Sequence, residues 1–151
     1  MRIVQAGAGD VRRLAPLFDA YRVFYRQPSD PDAAAAFLEK RLSRGESTVF
    51  AAEDDTAFVG FVQLYPSYDS IMLGARWTLY DLFVSPAHRG RGVGRMLMER
   101  ATQLARETDA VGLILSTATD NLVGQRLYES CGYVRDDAFY YYNLTFPEAG
   151  V

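Results

Sequence analysis

The sequence predicts a three-layer α/β (α+β) domain with a mixed, largely antiparallel sheet of six to seven strands and about four flanking helices. The 151 residues, 49% of them hydrophobic, are enough for one sizeable core, so we expect a single domain over residues 1–151. Apolar residues recur at helical spacing in four segments and follow strand patterns elsewhere. Neighbouring strands joined by short turns precede a strand-helix-strand portion, which mixes antiparallel and parallel pairing.

The first half of the chain predicts two helices between strands. Strand Arg2–Gln5 leads to a helix that Asp10 caps, and Asp30 before Pro31 marks the start of a second helix that ends at Gly45. The apolar face of the first helix consists of Val11, Leu14, Phe18, Tyr21 and Tyr25, and that of the second of Phe37, Leu38 and Leu42. Three strands follow, at about Ser47–Glu53, Ala57–Tyr65 and Arg76–Val84.

The second half begins with a helix that buries Val93, Leu97, Ala101, Leu104 and Ala105. A compact apolar strand is predicted at Val111–Ser116, followed by a helix over Asn121–Cys131 that Gly132 closes. Tyr133–Arg135 and Phe139–Phe146 are predicted to form a terminal hairpin around Asp136 and Asp137. Both faces of the last strand are largely aromatic or apolar, which favours an additional contact such as a homodimer interface.

Charge and cysteine usage exclude several classes. The net charge of −3 leaves no uniformly basic face for nucleic acid. Cys131 is the single cysteine, which excludes an internal disulfide and fits a reducing cytosol. No run of 18 apolar residues and no signal-peptide pattern occur, so we expect a cytoplasmic protein without a membrane partner. The acids are scattered and no His/Cys pairing exists, so no metal site is expected.

Residues 89–95, which we call the glycine corner, read Arg-Gly-Arg-Gly-Val-Gly-Arg between a predicted strand and a predicted helix. Glycines let backbone N–H groups approach a ligand, and a helix N-terminus attracts negative charge, so the corner predicts a phosphate or diphosphate site. A P-loop would need Gly-Lys-Ser/Thr, and a dinucleotide fingerprint would need Gly-x-Gly-x-x-Gly; neither occurs. A simple connecting turn remains the alternative.

The pattern Arg89-x-x-Gly92-x-Gly94 resembles the acyl-CoA pyrophosphate loop of the GNAT superfamily of N-acetyltransferases. Asp81-Leu82-Phe83-Val84 is similar to the family's central strand, and Asn121 followed by Leu127-Tyr128-Glu129 and Gly132-Tyr133 to its last helix. The resemblance covers roughly residues 58–144. It implies a GNAT-like fold and acetyl-CoA as acyl donor. The coenzyme-binding positions that it implies are Leu82, Phe83, Val84, Arg89, Gly90, Arg91, Gly92, Val93, Gly94, Arg95, Asn121 and Gly124.

The resemblance also implies a division of catalytic roles. Tyr128 matches the tyrosine that protonates the leaving thiolate, although a core tyrosine is the alternative. A backbone N–H at Val84 or its neighbour would polarise the thioester carbonyl. Within the family the chain looks most like the spermidine/spermine and related small-amine branch, whose strand reads Glu-Asp-x-Phe-Val. Here Tyr80 replaces the glutamate, which leaves Asp81 to relay a proton, to attract an ammonium group, or simply to bind a neighbouring loop.

The acceptor is predicted to be a primary amine of a small molecule, bound by Thr78, Tyr80 and Tyr25. Tyrosines on segments that flank the acceptor cleft suit a cationic amine through cation–π attraction; they are Tyr21, Tyr25, Tyr65, Tyr68 and Tyr140. Strand alternation places Tyr80 and Asp81 on opposite faces, so both can serve only if the strand carries a bulge. His88 is expected to be solvated in an exposed loop. Acetylation of a protein or peptide, and acyl-CoA binding without catalysis, remain the alternatives.

Overall fold

The computed structural model describes residues 1–147, and its secondary structure follows the predicted order. The sheet has five strands, β1 (Arg2–Ala6), β2 (Thr48–Asp54), β3 (Ala57–Asp69), β4 (Gly74–Val84) and β5 (Gly112–Ile114). The four α-helices are α1 (Val11–Phe24), α2 (Pro31–Ser43), α3 (Val93–Glu107) and α4 (Leu122–Ser130). The spatial order is β1-β2-β3-β4-β5, with antiparallel pairs up to β4 and a parallel β4–β5 pair. The mixed, largely antiparallel sheet is therefore confirmed.

Helices cover both faces of this sheet. A Cβ built at Gly60 of β3 would lie 3.3 Å from Val93 of α3, whereas the adjacent Phe61 packs its ring against Phe18 of α1, 6.1 Å away. Because consecutive strand residues point to opposite faces, α1 and α3 lie on opposite sides of the sheet. A buried cluster fills the α1 side and includes Leu14, Phe18, Leu38, Phe61 and Phe83. These layers make residues 1–116 one compact unit.

Local signals place the helix ends. The Asp30 carboxylate accepts a hydrogen bond from the Ala33 N–H at 3.0 Å, and Pro31 takes the first helical position of α2, as predicted. Gly45 follows the end of α2 with a φ of +64°. Asp10 does stand at the N-cap of α1, but its carboxylate accepts from the Gly7 N–H instead of from the helix.

The predicted terminal hairpin is wrong, and the expected six to seven strands are therefore too many. Residues 133–147 form no strand. The turn itself is present, because the Asp136 carboxylate accepts from the Ala138 N–H at 2.8 Å and Arg135 pairs with Asp137 at 3.0 Å. A two-stranded hairpin needs a third strand or a helix to pack on, yet residues 134–147 are exposed throughout. Residues 117–147 are described as a second compact unit.

Candidate functional site

Two glycines of the glycine corner have backbone conformations that disfavour other residues. Gly90 and Gly92 have φ values of +73° and +79°, and nothing lies within 4 Å of a Cβ built at either position. Backbone conformation rather than space therefore selects glycine. Gly92 is also the N-cap of α3 and offers no side chain to its first turn. A helix N-terminus without a side-chain cap is a common binding site for an external anion.

The arginines of the glycine corner differ in their surroundings. The Arg89 Nε donates to the Val84 carbonyl at 2.9 Å, and its guanidinium lies 5.4 Å from the Phe83 ring centre and 5.9 Å from that of Phe24. This side chain fastens the corner to the end of β4 and to α1. Arg91 and Arg95 are exposed. The corner therefore carries positive charge beside a helix N-terminus, as an anion site requires.

His88 is not the solvated side chain that the sequence suggested. It ends a 3-10 turn, Pro86–His88, which folds the half-buried ring back on the strand exit. Its Nδ1 lies 2.8 Å from the Ser85 Oγ, and its Nε2 lies 3.7 Å from the Asp54 carboxylate. The histidine thus joins the start of the glycine corner to the β2–β3 turn.

The last third of β4 has a free edge within the sheet. Pairing with β5 involves only Arg76, Trp77 and Thr78, while β4 continues beside β3 to Val84. The Ser85 N–H donates to the Val59 carbonyl at 2.8 Å, which directs Ser85 and Phe83 toward β3. By alternation, the backbone groups of Leu82 and Val84 point to the edge that β5 does not cover. Beyond Thr78, β4 therefore pairs with β3 alone in this sheet.

A bulge lies in β4 directly before this edge. Gln63 of β3 stands opposite Asp81 and Leu64 opposite Leu79, so Tyr80 is an extra residue without a partner. As a result Tyr80 and Asp81 both lie on the α1 side of the sheet. The Tyr21 hydroxyl lies 3.4 Å from the Tyr80 carbonyl, and the Tyr80 ring meets Tyr65 edge-on at 5.6 Å. The bulge that the sequence required is present.

Asp81 is a buried carboxylate behind a layer of tyrosine rings. It is 3% exposed, and its Oδ2 accepts a hydrogen bond from the Gln63 Nε2 at 2.6 Å. Burial raises the pKa of Asp81, and hydrogen bonds from Gln63 and Tyr21 oppose that rise. The pKa of Tyr21 is raised by burial and by the nearby Asp81 charge, and that of Tyr25 is raised for the same reasons. Asp81 is therefore the negative centre of an otherwise aromatic cluster.

The structure brings together most of the predicted acceptor residues. The Tyr25 ring meets the Tyr21 ring edge-on, with 5.0 Å between their centres. It lies close enough to Asp81 for that charge to raise the pKa of Tyr25. Thr78 stands directly across from Tyr65 in the β3–β4 ladder and so shares its face. Tyr68, by contrast, is 85% exposed near the far end of β3. Tyr140 belongs to the second compact unit and is likewise exposed.

An open cleft of about 590 Å³ lies beside this cluster. Its lining residues are Phe37, Arg41, Glu46, Tyr65, Pro66 and Tyr80. Asp81 is not among them, so its charge acts on the cleft from behind Tyr65 and Tyr80. The aromatic walls and the buried carboxylate suit a cationic amine.

The second compact unit holds the remaining predicted residues. Asn121 caps α4 by accepting from the Gly124 N–H at 3.1 Å, and it donates to the Thr117 hydroxyl at 3.0 Å. A Cβ at Gly124 would lie 2.5 Å from the Asn121 Nδ2, so glycine makes room for this cap. The half-buried Tyr128 has its ring centre 6.4 Å from that of Tyr133, whose pKa burial raises to about 12.

The sequence analysis did not identify the polar partner of Asp81, Gln63, or the charged residues that line the cleft, Arg41 and Glu46. Gln63 is fully buried. The sequence did contain a signal for it, because Gln63 is the one amide in the apolar run Phe58–Leu64, and a buried amide needs a polar partner. Arg41 and Glu46 gave no such sign, since charged residues near a helix end are usually solvated. Within the described residues, no group of three or more metal-ligating side chains occurs, and no helix among them is long and apolar enough to span a bilayer.

Known proteins are similar to this chain in both sequence and fold. The model of the acetyltransferase (GNAT) family matches residues 14–133. An uncharacterised N-acetyltransferase of Bacillus subtilis strain 168, YhfO, is 42% identical over 147 residues, which are 97% of this chain and 99% of that protein. The crystal structure of a probable acetyltransferase has a TM-score of 0.90 and 44% identity, covering 97% of this chain and 98% of the other.

A more distant structure shares the fold alone. The predicted acetyltransferase from Clostridium acetobutylicum, solved with acetyl-CoA, has a TM-score of 0.77 at 14% identity, over 94% of this chain and 95% of its own. The family match covers most of the chain and includes the glycine corner, the bulged strand and α4. The protein therefore belongs to the GNAT family of acetyltransferases.

Proposed function

We propose that the protein moves an acetyl group from acetyl-CoA to a primary amine of a small molecule, by direct attack in a ternary complex. The observation that carries this proposal is the construction of β4. One strand presents backbone groups of Leu82 and Val84 at a free edge and, directly before them, a bulge that sets Tyr80 and Asp81 beside the cleft. Donor and acceptor would thus meet along a few residues of one strand, as direct transfer requires.

On the donor side, the first-turn N–H groups of α3 and the arginines of the glycine corner would hold the diphosphate of acetyl-CoA. The free edge at Leu82, Phe83 and Val84 would hold its pantetheine arm, with Asn121 and Gly124 as the further positions that the family implies. The N–H of Val84 or its neighbour would stabilise the negative charge that develops on the thioester oxygen. The Clostridium acetobutylicum structure, which shares the fold and was solved with acetyl-CoA, supports this donor.

On the acceptor side, the amine must lose a proton before it attacks. A primary alkylamine has a pKa near 10, so roughly one molecule in a thousand is neutral at pH 7. Asp81 would either attract the ammonium group or relay its proton through water, and Tyr25, Thr78 and Tyr80 would line the approach. Tyr128 would protonate the departing thiolate.

Two other activities compete with this proposal. A protein or peptide acetyltransferase could use the same fold, and the small open cleft beside β4 favours a small molecule instead. An acyl-CoA-binding module without catalysis would have no need for a carboxylate buried beside that cleft. The small-molecule class spans polyamines, diamines and amino-acid-like amines, and the resemblance to the spermidine/spermine branch rests on the short β4 motif.

The cellular setting belongs to the same proposal. We expect one domain over residues 1–151, because the family model crosses the boundary between the two compact units. We also expect a cytoplasmic homodimer that needs no metal. The exposed aromatic side chains of the last segment support dimer formation; they include Phe139, Tyr140, Tyr141 and Tyr142.

The direct test measures thiol release from acetyl-CoA with a panel of amines, amino acids and peptides. We expect turnover with small primary amines and a rate that climbs from about pH 7 to pH 9 as neutral amine accumulates. Faster turnover of peptides than of every small amine would favour the protein acetyltransferase. Binding of acetyl-CoA without turnover of any acceptor would favour the non-catalytic module.

A further inference from the structure

The cleft has two unlike ends. At the β4 end, Tyr65 and Tyr80 screen the buried Asp81 carboxylate. At the α2 end, Arg41 lies 5.0 Å over the Phe37 ring one turn earlier in the same helix, and both side chains line the cleft. A molecule in this space would therefore lie near the negative charge of a screened carboxylate at one end and contact a guanidinium at the other.

The charge at the α2 end is positive. Glu46 lies 2.7 Å from the Arg41 Nε and 3.8 Å from an Nη of Arg44, so two guanidinium groups share one carboxylate. Arg41 pairs with Glu46 through its Nε. Its two Nη groups carry four of the five guanidinium N–H donors, and they take no part in this pair. Arg41 thus retains its positive charge and part of its fork for a ligand in the cleft.

Tyr65 is a lining residue of the cleft that lies near both charges. Burial raises the pKa of Tyr65, the Asp81 charge raises it further, and the Arg41 charge lowers it. The Tyr65 hydroxyl therefore lies within electrostatic range of both groups, and Tyr65 lines the cleft together with Arg41.

Two kinds of charged group could occupy the α2 end of the cleft: a carboxylate bound by Arg41, or a second ammonium group bound by Glu46. Such a group would approach one carboxylate and two guanidinium groups, a trio with a net charge of +1. A carboxylate would instead be attracted by that trio and could form a two-pronged contact with the Arg41 fork.

We propose that the acceptor is an amino carboxylate, whose amine lies at the Tyr80 bulge and whose carboxylate binds Arg41. This rests on the proposed function, and it narrows the small amines of that proposal to those that carry an anionic group. Arg41 acts here as a residue that determines specificity, and polyamines and diamines are the disfavoured acceptors.

The test compares acceptors of equal length that differ only at the far end. Aminoalkanoates from β-alanine to aminohexanoate are measured against the matching alkylamines and diamines. We expect the best aminoalkanoate to exceed its alkylamine at least tenfold in kcat/KM, and its diamine by more. Arg41→Gln should lower kcat/KM for the aminoalkanoate about 10- to 100-fold, mainly through KM, the range expected for hydrogen bonds to a charged group.

Further variants separate this role from general damage. The loss of kcat/KM in Arg41→Gln should be at least about fivefold larger for the aminoalkanoate than for the alkylamine, which has no carboxylate to bind. Arg41→Lys should be intermediate, because it keeps the charge and loses the fork. Glu46→Gln should improve the aminoalkanoate, since it removes the competing carboxylate. Lys40→Gln is the matched control, because it removes one positive charge from the same helix turn outside the cleft lining.

The outcomes distinguish this proposal from the function on which it rests. A diamine preferred over every aminoalkanoate, or an equal loss for all acceptors in Arg41→Gln, would overturn the amino-carboxylate proposal and leave the acetyltransferase of small amines standing. If no small amine is acetylated, the proposed function fails. Calorimetry of aminohexanoate binding in the presence of CoA then decides about the cleft, since binding that Arg41→Gln abolishes supports the carboxylate site and absence of binding overturns it.

Discussion

The proposed donor side and the proposed acceptor side of this protein are built in different ways. The glycine corner and the free edge of β4 lie within residues 82–95 and offer mainly backbone groups, whose positions follow from a strand, a turn and a helix start. The acceptor side offers side chains from α1, α2, β3 and β4, which are distant in sequence. A donor common to a family can be held by a local motif, whereas an acceptor that differs between members needs residues that can change independently.

The strongest test of the donor side is Tyr128→Phe. This change removes one hydroxyl and keeps the ring, so kcat should fall between about 10- and 1000-fold while acetyl-CoA still binds. Tyr133→Phe is the matched control, because the Tyr133 hydroxyl is buried without a hydrogen-bond partner among the described residues. Its loss should leave turnover close to wild type. Equal rates for Tyr128→Phe and wild type would make Tyr128 a packing residue.

The glycine corner can be tested with two variants that introduce the same backbone strain. Gly92→Ala and Gly45→Ala each place a side chain at positive φ in open space, at a cost of about 1–2 kcal/mol of folding stability. Acetyl-CoA at about 100 times its dissociation constant should stabilise wild type by about 2.7 kcal/mol, visible as a raised Tm.

Only the change at Gly92 should affect that binding. We expect Gly92→Ala to weaken acetyl-CoA about tenfold by calorimetry, and Gly45→Ala to bind it like wild type. No thermal shift of wild type with millimolar acetyl-CoA would contradict the donor assignment itself.

Asp81→Asn tests the acceptor side. A rise confined to the acceptor's KM would mean that Asp81 attracts the ammonium group, and a loss of kcat with a changed pH profile would mean that it moves the proton. The buried site can accept an amide at residue 81. The Gln63 Oε1 has no hydrogen-bond partner among the described residues. If the Gln63 amide group rotates by half a turn, this oxygen can accept a hydrogen bond from the new Asn N–H. If both kinetic parameters stay unchanged with every acceptor, Asp81 is structural.

The same variant has an expected effect on stability. Since the pKa of Asp81 is raised in the folded state, the folded chain keeps this proton where the unfolded chain has lost it. The stability from that proton is present at acid pH and disappears as the pH rises through the folded-state pKa. Asp81→Asn should therefore melt above wild type at neutral pH, and its advantage should shrink as the pH falls toward about 4. An advantage that does not vary with pH would refute the raised pKa.

The smallest effect on activity is expected at the C-terminal segment. Tyr140 and Tyr142 are 91% and 92% exposed, so light scattering at tens of micromolar should give the mass of a homodimer. Replacing both tyrosines by serine should shift the mass toward the monomer and keep turnover of acetyl-CoA within about twofold. A monomeric wild type would contradict the dimer.

The contrast between the two sides also decides what the sequence could predict. The glycine corner was predictable because glycines, arginines and a helix start are adjacent in the chain, and positive φ values at Gly90 and Gly92 agree with that. The Tyr80 bulge was predictable only as a requirement for sharing a face with Asp81. Arg41 and Glu46 were not predictable, because their place in the cleft depends on how α2 packs. The prediction of the terminal hairpin was wrong because alternating apolar residues do not by themselves provide a strand or helix for the hairpin to pack on.

The bulge at Tyr80 also bears on how this protein can change over time. If Tyr80 were deleted, Leu79 and Asp81 would become neighbours and still stand opposite Leu64 and Gln63 in an unbroken ladder. A one-residue deletion in the middle of a strand normally moves the side chains on one side of the deletion to the opposite face of the sheet. Here all the remaining residues of β4 would keep their faces. The sheet could therefore gain or lose this tyrosine in a single genetic step, so the proposed acceptor side can change while the core and the proposed coenzyme edge stay as they are.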